Sequence, residues 1–250
     1  MGCRPINAGA CVNRTGATGT VGPEAYASWR ANSLGLMTEE IEQRLILDLM
    51  GGLAGRRILD VGCGDGALAC AAASRGAEVS GVDPDPAILA AADSRAAQAH
   101  VRATYLNGRV ERLPFPNASF DVVVSVTVLC FVPDAAGAVR EMARVLRPGG
   151  RLVLGELGRW SLWAIIRRVR GWLGSSTWQA ARFHTAAELR ALAEQAGLWV
   201  TDVRGAVYYP PVGLLARALA RLDPWFGRKT TVGAAFIALS AMSTDQRPSR

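Results

Sequence analysis

The segment from Ile58 to Gly66, with the sequence ILDVGCGDG, constrains the fold more than any other part of this 250-residue chain. Its apolar start predicts a β-strand at Arg57–Val61, and the alanine-rich stretch Ala67–Ser74 that follows predicts a helix. The glycines between them allow a tight turn and the close approach of a ligand. The start of the helix adds unpaired N–H groups. The segment therefore predicts a ligand-binding turn in an α/β sheet.

Strand and helix patterns alternate along the rest of the chain. Strands are predicted at Glu78–Val82, Val101–Leu106, Phe120–Val128, Arg151–Leu157, Trp199–Arg204 and Thr230–Ala241, helices at Glu24–Met50, Pro86–Ala99, Ala136–Leu146, Thr185–Ala196 and Leu214–Leu222, and a turn at Arg147–Gly150. Thr38 is predicted to start one helix, and Thr185 to cap another, with Glu188 at capping-box spacing. Alternation of this kind predicts a parallel sheet covered by helices on both faces.

The length predicts one domain, over residues 23–242, with flexible tails at 1–22 and 243–250. The first residues lack the apolar run of a signal peptide. No stretch reaches the roughly 20 apolar residues of a membrane-spanning helix. A cytoplasmic location is therefore expected. The five cysteines have no paired spacing and predict neither a disulfide framework nor a metal site.

Asp83 stands at the end of the second predicted strand, 17 residues after Gly66. A carboxylate at this place can accept hydrogen bonds from both ribose hydroxyls of an adenosine. The spacing of Gly62, Gly64 and Ala67 also fits a relaxed dinucleotide fingerprint. These residues predict an adenosine-containing ligand, and they leave NAD and S-adenosylmethionine (SAM) open as alternatives.

Two further stretches separate these alternatives. The segments Leu113–Val123 (LPFPNASFDVV) and Arg140–Gly150 (REMARVLRPGG) resemble the class I SAM-dependent methyltransferases. The likeness is greatest to the type 11 group, which includes quinone and small-molecule methyltransferases, and it covers about Ala25 to Leu198. It implies a Rossmann-like, seven-stranded, mostly parallel sheet, SAM as the cofactor, and methyl transfer to a small-molecule acceptor.

The resemblance also implies a set of cofactor-binding residues. The methionine end of SAM would be held by Asp60 and by the turn that contains Gly62, Cys63, Gly64 and Gly66, and the ribose by Asp83 with Pro84 beside it. The adenine would lie beside Arg109, Val110 and Glu111, and the methyl donor beside Val126 to Leu129. A helix that closes over the cofactor would contain Tyr26 and Trp29. Ordinary aromatic packing is the alternative for Tyr26 and Trp29. The segments 159–185 and 205–229 would lie on the acceptor side.

The chain departs from the family pattern at two places. The family usually has Gly-Asp before the Leu-Pro-Phe run, where this chain has Gly108-Arg109. Because Arg109 cannot accept a hydrogen bond, we expect it to point to solvent or to stack beside the adenine ring. The backbone N–H of Val110 would then contact the ring. The family often has His after the fourth strand, where this chain has Cys130.

No catalytic residue is assigned by this pattern, because methyl transfer requires a general base only for acceptors that lose a proton. Candidates are His184, which precedes a predicted helix near the acceptor side, Cys130 and Tyr26, with Tyr208 and Tyr209 as further ones. An ordinary structural role is the alternative for each of them.

The basic charge of the chain is concentrated in residues 159–229, which carry 11 basic and 4 acidic side chains. Such a stretch can face nucleic acid, an anionic membrane or an acidic substrate, or be a solvated surface. The fourth strand ends in Ser125–Val128 and has no Asn/Asp-Pro-Pro-aromatic or Pro-Cys motif for a flipped base. No nucleic-acid partner is therefore expected.

The segment Arg159–Leu173 predicts a basic amphipathic helix, with Leu162, Ile165, Ile166 and Val169 on one apolar face. The favoured interpretation is a lid whose apolar face packs on the domain. The alternative is a lid that meets an apolar quinone or lipid acceptor at a membrane surface. A non-catalytic SAM-binding module is a third possibility, and the intact glycine turn and Asp83 argue against it.

Overall fold

The computed structural model describes residues 32–244 except 214, 215, 217 and 218. Its elements, in chain order, are α1 Ser33–Met50, β1 Arg57–Val61, α2 Ala67–Ala73, β2 Glu78–Asp83, α3 Pro86–Gln98, β3 Ala103–Asn107, β4 Phe120–Val126, α4 Ala135–Val145, β5 Leu146–Leu157, α5 Leu162–Trp172, α6 Ser176–Ala180, α7 Ala186–Gln195, β6 Leu198–Ala206, α8 Asp223–Lys229 and β7 Phe236–Ser243. The predicted tail 1–22, Tyr26 and Trp29, and residues 245–250 of the other predicted tail lie outside the described residues.

The sheet has seven strands in the order β3-β2-β1-β4-β5-β7-β6. Neighbours from β3 to β5 are parallel, and β7 is antiparallel to both β5 and β6. This confirms the predicted mostly parallel sheet. From β1 the chain proceeds outward to β2 and β3, and then returns to place β4 on the other side of β1. Ligands bind at such a switch point, outside the carboxyl ends of the strands.

Alternate residues of the strands pack on opposite faces of the sheet. Leu59 and Val123 belong to one hydrophobic cluster, with side chains of α4 and α7. Ile58 and Val124 belong to the other, with side chains of α1 and α2. The helices therefore cover both faces, as predicted, and the carboxyl ends of the strands stay open to a ligand.

The predicted helix start at Thr38 is wrong, and the predicted cap at Thr185 is confirmed. The helix α1 begins at Ser33, where the Asn32 side chain accepts the N–H of Gly35 at 2.7 Å. Thr38 lies inside the helix, and its hydroxyl donates to the Leu34 carbonyl at 2.8 Å. A threonine within a helix can satisfy its hydroxyl in this way. Thr185 and Glu188 form the reciprocal capping box of α7.

Three strand boundaries differ from the predicted ones. The chain leaves β4 at Thr127, whose φ of +54° ends the strand two residues before the predicted Val128. Pairing of Leu146 with Phe120 extends β5 through the predicted turn at Arg147–Gly150. The strand β7 begins at Phe236 rather than Thr230.

The favoured interpretation of α5, an apolar face packed on the domain, is wrong. Leu162, Ile165 and Val169 are 50%, 57% and 47% exposed. The helix instead buries Trp163, whose indole N–H donates to the Tyr209 carbonyl at 2.8 Å. An indole buries more surface than an aliphatic side chain, and its N–H requires a partner when buried. The helix is therefore turned so that its aliphatic stripe faces outward.

Within the described residues, no helix combines the length and apolarity that crossing a bilayer requires.

Candidate functional site

A cavity of about 930 Å³ lies at the carboxyl ends of β1, β2 and β4. Its lining includes ten of the predicted cofactor residues: Asp60, Gly62, Cys63, Gly64, Asp83, Pro84, Arg109, Val110, Glu111 and Val126. It also includes residues that the sequence did not single out, among them Glu39, Glu42, Gln43 and Ile46 of α1, Arg95 of α3, and Phe131. Gly66, His184 and Cys130 are not among the lining residues.

The glycine turn has two different requirements for glycine. Gly62, Gly64 and Gly66 all have positive φ, at +71°, +53° and +74°. A Cβ at Gly62 would lie 2.2 Å from Val128 Cγ2, and one at Gly66 would lie 2.5 Å from the Tyr105 hydroxyl oxygen. A Cβ at Gly64 would meet no atom of the described residues within 4 Å. Packing therefore requires glycine at the first and third positions, whereas Gly64 is open on the cavity side.

Two buried carboxyl groups lie beside this turn. Asp83 accepts the N–H of Gly64 at 3.1 Å and the N–H of Asp85 at 3.0 Å, one on each carboxyl oxygen. Burial raises its pKa. Burial, with the charge of Asp83, also raises the pKa of Asp60 to about 7, and Asp60 Oδ2 has no hydrogen-bond partner among the described residues. A buried polar atom without a partner is costly, so Asp60 offers an acceptor that a ligand N–H or O–H would satisfy.

The loop that follows β3 places Val110 and Arg109 differently. Val110 is buried and lines the cavity. The side chain of Arg109 is 59% exposed, and its guanidinium lies 3.4 Å from a Glu111 carboxylate oxygen.

The glycine turn is also held against α3, because Arg95 donates to the carbonyl and the carboxylate of Asp65 at 2.9 and 2.5 Å. Sequence reasoning missed this last pair, whose members are 30 residues apart.

The loop after β4 is held by a carboxyl group that sequence reasoning missed. Glu156, on β5, is fully buried and accepts the N–H groups of Val128, Leu129 and Cys130 at 3.1, 2.8 and 3.2 Å. Burial raises its pKa to about 7, and these N–H groups oppose the shift. The available signal was a lone carboxylate in the apolar strand LVLGEL, since such groups are almost never buried without partners.

Two of the candidate catalytic residues, Cys130 and His184, lie near Glu156. The Cys130 thiol donates to the Thr127 carbonyl at 3.2 Å and packs with Leu157, Ala164 and Phe183. His184 pairs through its backbone with the end of β5, and its Nδ1 lies 4.0 Å from a Glu156 oxygen. Burial lowers the pKa of His184.

The two tyrosine candidates fasten the segment after β6. The Tyr209 hydroxyl shares a hydrogen bond with Thr38 at 3.1 Å, and the Tyr208 hydroxyl donates to the Thr230 carbonyl. Neither tyrosine is among the residues that line the cavity.

Comparisons with known proteins match this arrangement. A family model described as a methyltransferase domain matches residues 59–154. The ubiquinone biosynthesis O-methyltransferase of Alkalilimnicola ehrlichii is 37% identical over 171 residues, which cover 66% of this chain and 69% of that protein. The protein of the same name from Pseudomonas aeruginosa is 36% identical over 171 residues, covering 66% and 73%.

Solved structures show the same fold at lower identity. A SAM-dependent methyltransferase of Thermotoga maritima, described as a possible histamine N-methyltransferase, has a TM-score of 0.67 at 22% identity and covers 88% of this chain and 96% of that one. Magnesium protoporphyrin IX methyltransferase from Synechocystis, with bound SAH, has a TM-score of 0.64 at 18% identity and covers 89% and 95%.

Proposed function

This chain belongs to the class I SAM-dependent methyltransferases, and we propose that it transfers the methyl group to a hydroxyl oxygen of a small aromatic acceptor. SAM supplies a methyl group that its positively charged sulfur already activates. The protein's part is to align the two reactants and to exclude water. The observation that carries the proposal is the cavity at the switch point, where the glycine turn, Asp83 and the loop after β4 meet.

The lining residues fit the parts of SAM. Asp83 would accept the ribose hydroxyls with the lone pairs that its two backbone contacts leave free. The unpartnered oxygen of Asp60 and the open backbone at Gly64 would hold the methionine end. Val110 and Val126 line the cavity, and they would lie beside the adenine ring and the methyl group, respectively.

The choice of an oxygen acceptor rests on relatives. Proteins 36–37% identical to this chain are named O-methyltransferases of ubiquinone biosynthesis, and the chain covers 69–73% of their length. The test uses SAM with a deuterated methyl group and a panel of catechols, hydroxyquinols with and without an isoprenoid tail, thiols and amines. Mass spectrometry is expected to find the label on oxygen of the phenols. Label on thiols or amines alone would exclude the proposed acceptor.

Removal of the Arg109 side chain is expected to change SAM affinity little. Its guanidinium is mostly exposed and pairs only loosely with Glu111, and such surface pairs contribute about 0–1 kcal/mol. Calorimetry on Arg109→Ala should therefore show a loss below about 1 kcal/mol. A loss above tenfold, about 1.4 kcal/mol, would mean that the side chain contacts the cofactor.

A second candidate, methylation of an apolar acceptor at an anionic membrane surface, is favoured by the outward face of α5. We call the exposed side chains Trp160, Leu162, Ile165, Val169, Trp172 and Leu173 the apolar stripe. Arg168 and Arg170 are exposed on the same helix. A helix with exposed Trp and aliphatic residues beside Arg binds the interface of an anionic bilayer. This binding would bring a lipid-like acceptor to the protein.

Anionic vesicles are therefore expected to bind the wild-type protein at low salt. Phosphatidylglycerol vesicles should co-sediment it, and phosphatidylcholine vesicles should not. The double variant Ile165→Gln/Trp172→Gln is expected to lose at least about tenfold in binding, since each side chain contributes about 1.5–3 kcal/mol when fully buried in an apolar medium. Trp199→Gln is the matched control, because Trp199 is 70% exposed on β6. Wild-type protein left in the supernatant by both vesicle types would rule out the membrane contact.

A further inference from the structure

The helix α1 places a carboxyl group in the cavity that the cofactor site does not use. Glu42 lines the cavity, as does Glu39 one turn earlier. The other titratable lining residues lie at the end of β1, on the glycine turn, between the end of β2 and α3, on α3 or in the loop 108–111, where the proposed cofactor contacts lie. Within the described residues, Glu42 has no hydrogen bond or ion pair. Its electrostatic neighbours are Arg167 of α5, Glu39 of α1 and Asp223 of α8.

Arg167 is the positively charged neighbour that acts on the Glu42 carboxyl group. Its guanidinium carbon lies 5.4 Å from the ring centre of Trp163 and 5.1 Å from that of Trp178. Its Nη1 is fully enclosed and has no hydrogen-bond partner in the part of the chain that the structure describes. Among the described residues, no carboxylate lies within 4.0 Å of its nitrogens. The charged groups that act on it are the carboxyl group of Glu42 and the guanidinium of Arg170.

A buried guanidinium without a direct counter-ion is costly, and the fold alone does not explain it. The penalty for burying a charge reaches several kcal/mol per ion after relaxation. The two indole rings recover part of it, because a cation over an aromatic face contributes about 0.5–2 kcal/mol. Charged groups kept at such a cost are typical of functional sites. The carboxyl group of Glu42, which acts on Arg167 and lines the cavity, links this charge to the site.

We propose that Glu42 is the general base that takes the proton of the acceptor hydroxyl, and that Arg167 is the positioning residue that keeps Glu42 ionised. This assignment rests on the hydroxyl acceptor proposed above. The acceptor oxygen forms its bond to the methyl carbon as the bond from sulfur to that carbon breaks. The hydroxyl proton passes to the Glu42 carboxylate, and the sulfonium charge is neutralised as SAM becomes the neutral thioether. Atoms and charge therefore balance without a further reactant.

The electrostatics of Glu42 suit this role at neutral pH. The pKa of Glu42 is raised to about 7: burial is the largest cause, Arg167 opposes it, and Glu39 and Asp223 add to it. A base is most effective when its pKa lies near the working pH. Because the base must be ionised, the rate of transfer is expected to increase with pH through this range and to level off above it.

The first arm of the test compares two glutamates of the same helix. Glu42→Gln is expected to lower kcat at least about 100-fold and to abolish the increase of kcat from pH 6 to 8, with SAM affinity unchanged. Glu40→Gln is the matched control, because Glu40 is exposed and pairs with Arg44. If Glu42→Gln methylates a catechol that the wild-type protein also methylates, at the same rate and with the same pH profile, the base assignment fails and the hydroxyl acceptor stands. If Glu39→Gln alone abolishes the pH dependence, the assignment to Glu42 also fails.

The second arm measures ionisation without turnover. Carbon-13 NMR of the carboxyl groups in glutamate-labelled protein, bound to S-adenosylhomocysteine, should show two resonances that titrate near pH 7. One is that of Glu156 and is missing in Glu156→Gln, and the other is missing in Glu42→Gln and gives the midpoint of Glu42. In Arg167→Met this midpoint should move up by about one to three pH units, because loss of a nearby opposite charge shifts a pKa by about that amount. Arg167→Lys should restore it. A Glu42 resonance that titrates near pH 4.5, or that Arg167→Met leaves unmoved, would overturn the proposal.

Discussion

The variant Gly64→Val is expected to bind SAM at least a hundredfold more weakly than the wild-type protein. Gly64 has a φ of +53° and lines the cavity, and no protein atom lies within 4 Å of the position of a Cβ. A valine there would cost about 1–2 kcal/mol in the left-handed conformation, and its methyl groups would occupy space that the ligand needs. Calorimetry measures the loss.

Gly149→Val is the matched control for this variant. Gly149 also has positive φ, at +71°, and also has no atom within 4 Å of a Cβ position. It lies in β5 and is not among the residues that line the cavity. Its variant should carry the same backbone strain and keep the wild-type affinity. Equal affinity in both variants would contradict the assignment of the glycine turn to SAM.

Asp83→Ala tests the ribose contact in the same assay. A hydrogen bond to a charged group contributes about 1.5–3 kcal/mol, so loss of two ribose contacts should weaken SAM binding at least tenfold. The variant also releases the N–H groups of Gly64 and Asp85, which adds to the loss. Asp93→Ala, at an exposed position on α3, is the control. Wild-type affinity in Asp83→Ala would remove this residue from the site.

Glu156→Ala is expected to lower the free energy of unfolding by about 3 kcal/mol or more. The carboxyl group accepts three backbone N–H groups of the loop after β4. Each buried donor that loses its only partner costs about 1–3 kcal/mol. Denaturant unfolding measures the loss, and Glu194→Ala, which breaks an exposed pair with Arg190, should cost less than about 1 kcal/mol. A loss as small as that in the control would show that water replaces the carboxyl group.

The pH dependence of stability separates charge from hydrogen bonding at this position. The pKa of Glu156 is raised from 4.5 to about 7 in the folded protein. A group whose pKa is raised on folding contributes most stability below its unfolded value and loses that contribution as pH rises through the folded value. The stability of the wild-type protein relative to Glu156→Gln should therefore decrease from pH 4.5 to about 7. A constant difference would show that Glu156 has an ordinary pKa.

The glycine turn and the loop after β4 differ in how far the sequence predicts them. The glycine turn is predictable because strand, turn and helix are local patterns, and the conformations that need glycine follow from three adjacent positions. Asp83 is predictable for the same reason, as the last residue of a strand beside that turn. Glu156 is visible only as an anomaly, because its three partners lie in the loop after β4, 26–28 residues earlier in the chain.

The helix α5 shows why periodicity leaves orientation open. A period of 3.6 residues identifies a helix with an apolar stripe, but it does not say which stripe meets the core when another face carries a tryptophan. The choice depends on the Tyr209 carbonyl, 46 residues away, which accepts the Trp163 indole N–H. Thr38 is a similar case, since its hydroxyl meets the Tyr209 hydroxyl 171 residues later.

The sequence by itself determined the parallel sheet, the glycine turn, Asp83 and the resemblance to methyltransferases, because each depends on neighbours within about ten residues or on the order of such local segments. Only the tertiary structure decided the outward face of α5, the loop carried by Glu156, and the electrostatic influence of Arg167 on Glu42. These depend on groups brought together by the crossover of the chain at β1 and β4 and by the packing of α1 and α5 above it. Burial then sets the electrostatics of those groups, because the cost of a charge depends on its surroundings in space and not on its neighbours along the chain.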